Sequence, residues 1–410
     1  MRRAVARLVS GSIVAQAITL ATMPVVTRLF GAEQLGAISV FISSLSVPLA
    51  VATLRLDSPL LIVRERRDLS RLEAVNVWAT VVVAGLTSVA YAILVKLRLF
   101  GIHILPWWAV FAVPPIVIAG GFALVFRASR LRREDYQSIS TVATVRNLSN
   151  VIPRLVGGAL GSGITALLLA EVISAWASTY KLADSRIREL VANASRSRLS
   201  EVLVTVAQWK RFPVFEVPSQ VFDQIGAILP VFTIAGRLGA EPAGLYAIAY
   251  RVTTLPSTHL GSALAEVFRG RFAYLVRAGD AKAGRLFFGK MLATLVACSC
   301  ALYVPLSVVA PPIFGRLFGQ QWGAAGHLVP ALSIWAASSL VVSPLSTAVG
   351  ILQRPQLKWI YDLSSVAGAV VAAYVTRGQG IQHTVVAFSI AAAASNIVYS
   401  GVLYSAVREL

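Results

Sequence analysis

Long apolar runs alternate with short, arginine-rich polar stretches along the whole chain. Residues 74–95, 106–126 and 287–310 each hold about 20 residues with at most one charge, enough to cross the hydrocarbon layer of a bilayer as a helix. Read this way, the pattern predicts twelve spans. Six lie in the first half, at 8–29, 35–56, 74–95, 107–126, 136–160 and 164–180. Six more lie at 213–236, 243–266, 287–309, 325–351, 359–375 and 383–406. Polar residues interrupt the fifth and the seventh. The strict alternation of a membrane β-barrel is missing, so the expected class is an all-α integral membrane protein.

Composition agrees. Hydrophobic residues make up 57% of the chain and charged residues 13%, about half the roughly 25% of soluble domains. The net charge of +19 would suggest nucleic acid in a soluble protein. Its distribution says otherwise. The N-terminus, the loops after even-numbered spans and the C-terminus hold 26 of the 37 Lys and Arg. The loops after odd-numbered spans hold six, and five fall within or at the ends of spans. The positive-inside rule then places both termini in the cytoplasm, and no nucleic-acid partner is expected. The basic Met1-Arg2-Arg3 start resembles a signal peptide, with Ala15-Gln16-Ala17 as a cleavage site, but the apolar stretch continues to Leu29. A first transmembrane helix is the expectation. Cys298 and Cys300 would point about 200° apart on a helix, so buried free thiols are expected rather than a disulfide or metal pair. Trp107, Trp108, Trp322 and Trp359 near helix ends fit an aromatic belt.

A turn occurs twice. Arg28-Leu-Phe-Gly-Ala-Glu-Gln-Leu-Gly36 and Arg237-Leu-Gly-Ala-Glu-Pro-Ala-Gly244 place Glu33 and Glu241 208 positions apart. Gly36 and Gly244 share that offset, as do Pro48 and Pro256. In each half the turn joins the first span to the second. The chain therefore reads as a duplication: a six-helix lobe at 1–180, a cytoplasmic amphipathic linker at 181–211, and a second six-helix lobe at 212–410. In the linker, basic residues such as Arg186, Arg188, Arg196 and Arg198 interleave with Ile187, Leu190, Val191 and Leu199, as on an interfacial helix. Six spans per copy give parallel repeats, an architecture used by transporters that alternate access across the membrane.

The residues also resemble a family. The Arg28–Gly36 turn, the segment Leu54-Arg-Leu-Asp-Ser-Pro-Leu-Leu-Ile62, and Gly319-Gln-Gln-Trp-Gly323 followed by Trp335, Ser343–Ser346 and Leu352–Arg354 are similar to bacterial O-antigen and polysaccharide flippases. These belong to the multidrug/oligosaccharidyl-lipid/polysaccharide exporter superfamily. The family's tyrosine and glutamate in the second segment are Leu56 and Asp57 here. The resemblance implies a V-shaped, two-lobed bundle with a central cavity, sited in the bacterial cytoplasmic membrane. It would move a polyprenyl-linked oligosaccharide outward, driven by a coupling proton or sodium ion, with membrane lipids around it and a glycan polymerase or glycosyltransferase as a partner.

Charges within the spans are the candidate chemistry, because each costs about 2.5–3.5 kcal/mol at a helix centre. Arg146, Asn150 and Arg154 fall at i, i+4 and i+8 in the fifth span, beside Pro153. They read either as a cationic wall for the pyrophosphate, which a guanidinium pairs bidentately, or as structural ion pairs with carboxylates on neighbouring helices. Glu216, Gln220, Asp223 and Gln224 share a face of the seventh span, and Asp362 opens the eleventh. They read either as an ion-coupling or sugar-binding surface, or as counter-charges to Arg146, Arg154 or Arg251. Glu171 in the sixth span is a weaker candidate. Arg251 reads as a cavity residue or a structural one. Arg55 and Asp57 read as substrate contacts or as an interfacial pair. No phosphate-binding loop, no Cys/His cluster and no sizeable soluble domain stands in the sequence, so neither cofactor nor metal nor catalysis is expected. Two alternatives stay open: a drug antiporter of the same superfamily, which needs an anionic cavity, and a membrane enzyme or assembly partner in the same glycan pathway.

Overall fold

The computed structural model describes residues 18–63, 65–183, 186–352 and 354–409. Residues 1–17, which carry the basic start and the beginning of the first predicted span, lie outside the described residues, as does Arg64.

The apolar runs become helices and the polar stretches become their ends. In chain order these are α1 (Ile18–Leu29), α2 (Ala32–Ala50), α3 (Arg66–Lys96), α4 (Val113–Arg132), α5 (Tyr136–Ala159), α6 (Gly163–Ala183), α7 (Ile187–Arg196) and α8 (Leu199–Gln208). They continue with α9 (Arg211–Leu238), α10 (Ala240–Arg277), α11 (Ala281–Phe318), α12 (Gly323–Gly326), α13 (Val329–Leu345), α14 (Ala348–Ile351), α15 (Lys358–Val375) and α16 (Ile381–Arg408). Among the described residues, eight stretches, at 32–50, 66–96, 107–132, 163–183, 211–238, 281–318, 329–351 and 381–408, are long and apolar enough to cross a membrane. Helices also lie at the other predicted spans, as α1, α5, α10 and α15; α1 is described from residue 18 on, and α5, α10 and α15 are more polar.

Why helix dominates is a matter of unsatisfied backbone. In hydrocarbon, a helix satisfies its peptide groups within its own segment. Side chains then sort by face. On α3, Val82, Leu86, Val89 and Ile93 are exposed, whereas Ala84 and Tyr91 are buried. An apolar stripe facing outward suits lipid contact. Cys298 and Cys300 on α11 are likewise exposed, not buried as the sequence suggested, because the buried stripe of α11 runs through Leu295, Ser299 and Tyr303 and leaves the positions on either side of it outside. Trp107 and Trp359 are exposed, as a belt requires, but Trp322 is fully buried.

Residues up to Ile228 pack as one unit and those from Leu229 onward as another, so the boundary falls inside α9. In the first unit α5 packs on α6, and α4 on α3 and α6. Leu60, Leu72, Phe122, Phe126, Leu182 and Leu190 form its core. The expected linker folds as α7 and α8, and α7 packs on α3. There the Trp78 indole donates to Ala194 O at 3.2 Å. In the second unit α13 is central, contacting α10, α11 and α16, while α15 packs on α16. Phe268, Phe272 and Phe288 are buried together with Leu295, Tyr399 and Leu403.

The two copies of the repeated turn begin helices at Ala32 and Ala240. Their glycines differ. Gly31 is extended (φ −72°), and its N–H donates to Gln34 Oε1 at 3.2 Å. Gly239 has φ 98°, a conformation nearly confined to glycine. In each copy the acidic residue sits in the helix's first turn, where the dipole favours it.

Candidate functional site

The second predicted span ends early. Helix α2 stops at Ala50, and residues 51–57 form a run of tight turns in which Leu54 (φ 51°) and Arg55 (φ 60°) are left-handed. The buried Asn76 amide of α3 donates to Leu56 O at 2.9 Å and to Leu72 O at 2.8 Å, tying the turn to α3. Arg55 is therefore presented from an irregular segment rather than from a helix face. Its Nε donates to Glu216 Oε2 at 3.0 Å, and Ser58 Oγ donates to the same oxygen at 3.0 Å. Asp57 does not pair with Arg55. It accepts from Thr53 Oγ1 at 2.6 Å. The expected Arg55–Asp57 pair is thus replaced by Arg55–Glu216, because the positive-φ turn directs the two side chains to different partners.

Glu216 also lines a cleft of about 660 Å3, with Gln208, Trp209, Arg211, Phe212 and Phe215. One carboxylate thus meets an arginine, a serine and a half-aromatic cleft. Further along α9, Gln220 is half-buried and Asp223 is exposed.

On α5 the predicted stripe divides. Arg154 is buried, at 7% exposure. Its Nη2 lies 2.6 Å from Glu171 Oε1, and Asn150 Nδ2 donates to that oxygen at 2.9 Å and to Ser174 Oγ at 3.3 Å. Arg154 Nε is buried with no hydrogen-bond partner among the described residues. Arg146, two turns earlier, is exposed and forms no ion pair among the described residues. Successive members drift by about 40°, which is enough to turn Arg154 into the α5–α6 contact and leave Arg146 outside it. For Arg154 and Asn150 the structural reading describes this arrangement. Their carboxylate is Glu171 of the adjacent helix, not a group on α9 or α15.

In the second unit Asp362 is buried, and Lys358 Nζ lies 3.3 Å from its Oδ2. Arg251 is exposed on α10, beside Tyr250, whose ring stacks on Trp335 with centroids 5.2 Å apart. Among the described residues no group of three or more His, Cys, Asp or Glu could hold a metal ion. The sequence reading missed Asn76 and Ser58. A lone Asn in an otherwise apolar run was the available signal for the first; Ser58 gave none.

A family model for "Polysaccharide biosynthesis protein" matches residues 25–326. The chain belongs to that family. This member is 22% identical over 400 residues to the succinoglycan biosynthesis transport protein ExoT of Rhizobium meliloti (strain 1021), covering 94% of this chain and 76% of the relative. It is 26% identical over 152 residues to the teichuronic acid biosynthesis protein TuaB of Bacillus subtilis (strain 168), covering 37% of this chain and 31% of that one. Its fold is similar to that of the lipid II flippase MurJ in an inward closed conformation, with TM-score 0.71, 11% identity, and coverage of 94% and 86%. It is similar too to an inward-facing multidrug resistance MATE transporter of the MOP superfamily, with TM-score 0.70, 14% identity, and coverage of 97% and 99%. The family resemblance read from the Arg28–Gly36 turn and the Leu54–Ile62 segment is borne out. This polysaccharide biosynthesis family member is a multi-pass, all-helical membrane protein.

Proposed function

We propose that the chain is a flippase that moves a polyprenyl-pyrophosphate-linked oligosaccharide across the bacterial cytoplasmic membrane, by ion-coupled alternating access, for cell-surface polysaccharide. Twelve spans in two six-helix lobes, 1–180 and 212–410, joined by the amphipathic 181–211, carry this cycle, with both termini cytoplasmic. Arg55, Arg146 and Arg251 contact the substrate's anionic part, while Asn150 and Arg154 brace α5 against α6 through Glu171. Glu216, Asp362, Gln220, Asp223 and Asp57 supply the ion-coupling and sugar-facing groups. The observation that carries the reading is Arg55: a guanidinium held through Nε by Glu216, its one ion-pair partner among the described residues, in the turns after α2, in a member of a polysaccharide biosynthesis family. A single, half-buried counter-charge that stays in contact with solvent can be exchanged for a phosphate at modest cost.

The test is genetic and biochemical. Arg55→Gln, expressed at wild-type level, is expected to abolish surface glycan and leave the lipid-linked precursor inside. Full export by that variant would remove Arg55 from the site. Wild-type protein in liposomes that fails to move lipid-linked sugar would remove the flippase reading itself.

A further inference from the structure

Of the six Lys and Arg in the loops after odd-numbered spans, two converge. Arg237 in the last turn of α9 and Arg377 between α15 and α16 line one cleft of about 460 Å3, together with Thr233, Gln379, Gly380 and Thr384. Among the described residues no carboxylate lines it. Arg237 Nη1 donates to Ala373 O at 2.5 Å, which fixes the guanidinium and leaves its other N–H groups available. Arg377 lies with Cζ 4.7 Å from the centroid of the Tyr374 ring. Neither forms an ion pair among the described residues, and both are exposed. Capping the end of α15 accounts for Arg237 but not for Arg377, whose guanidinium makes no hydrogen bond among the described residues.

The backbone adds to the same charge. Gly380 is the N-cap of α16 and no side chain caps that helix, so its first N–H groups lack partners within the helix. Gly378 turns the chain with φ 78°, keeping side-chain atoms away from the floor of the cleft. Two guanidinium groups facing one cleft without a counter-charge repel each other, and an anion between them reverses the sign of that interaction. Guanidinium forks match phosphate oxygens in geometry.

We propose that the Arg237–Arg377 cleft binds a phosphate group, carried either by a lipid headgroup or by a free phosphate compound. This goes beyond the flippase reading and does not require it. In the proposed orientation the site lies at the outer end of the second unit.

The test measures melting temperature of the purified protein in detergent, at fixed ionic strength, against two probes: inorganic pyrophosphate and short-chain dihexanoyl phosphatidylglycerol. At least one is expected to raise it saturably. Pyrophosphate acting alone identifies a free phosphate compound, and phosphatidylglycerol acting alone identifies a headgroup. Arg377→Gln is expected to weaken binding about tenfold or more, the size of one lost charge-assisted hydrogen bond. Gln379→Glu, which leaves both arginines in place and adds a carboxylate, is expected to do the same in a protein that melts normally. Arg316→Gln on α11 serves as the unaffected control. Absence of saturable binding by either probe, or wild-type affinity in both Arg377→Gln and Gln379→Glu, would overturn the proposal.

Discussion

Arg154 brings a full charge into the contact between α5 and α6, where a single carboxylate meets it at 2.6 Å. Removing one member of such a pair leaves the other buried and uncompensated, at a cost of about 3–5 kcal/mol. Glu171→Ala is therefore expected to lower the melting temperature sharply, whereas Arg154→Leu with Glu171→Leu recovers most of the loss. A double variant as unstable as the single one would show that Asn150 and Ser174, not the charge pair, hold this contact. Arg146→Ala, by contrast, is expected to leave the melting temperature unchanged, because that side chain is exposed. Any effect it has belongs to export. The sequence made all three polar residues visible, since charge in an apolar run is costly. It did not reveal which way each points. That depends on whether α5 turns 40° one way or the other against α6, and the partner, Glu171, lies on the neighbouring helix.

Helix ends show how like sequences take unlike conformations. The repeated turn starts α2 and α10 at equivalent positions, yet only Gly239 has a positive φ. An added Cβ meets nothing within 4 Å at Gly31 or at Gly239, so space does not distinguish them and backbone strain does. Gly31→Ala is expected to be neutral, whereas Gly239→Ala costs about 1–3 kcal/mol. Equal melting temperatures for the two variants would mean that both turns share one conformation. The end of α2 was not legible either: hydropathy continues through Val51–Leu56, while the chain turns there under the hold of Asn76 on Leu56 O. At the start of α5, Asp135 accepts from Ser138 N at 3.1 Å and pairs with Arg130 at 2.8 Å. Hydrogen bonds from Ser138, and after them Arg130, hold its carboxyl below the usual carboxylate range. A pKa lower in the folded than in the unfolded chain stabilises the fold above the unfolded value, and that contribution is lost as pH falls through the folded one. Asp135→Ala is expected to cost about 1 kcal/mol at neutral pH, and the gap to wild type should narrow below about pH 4. A gap constant down to pH 3 would assign the loss to packing.

At the scale of the whole chain, the predicted spans are matched by helices because each run was judged only against the thickness of a bilayer, a local property. How the runs partition into packed units is not local. The linker 181–211 was expected to part the halves, yet α7 packs on α3, and the division between packed units lies within α9. Hydropathy is the same whether a helix face meets lipid or another helix, so it carries no information on this point. Orientation is different again. It rests on loop charge alone, and 26 of 37 basic residues on one side make it a sharp expectation. Cys298→Ser with Cys300→Ser provides a cysteine-free background, since these are the chain's two cysteines. In it, Gln379→Cys between α15 and α16 should react with a membrane-impermeant maleimide on intact spheroplasts. Lys282→Cys, at the start of α11, should react only after the membrane is opened. The opposite pattern would reverse the topology. It would place the Arg237–Arg377 cleft at the cytoplasmic leaflet and Arg55 toward the outside, where a lipid carrier still bearing its sugar could not first be met.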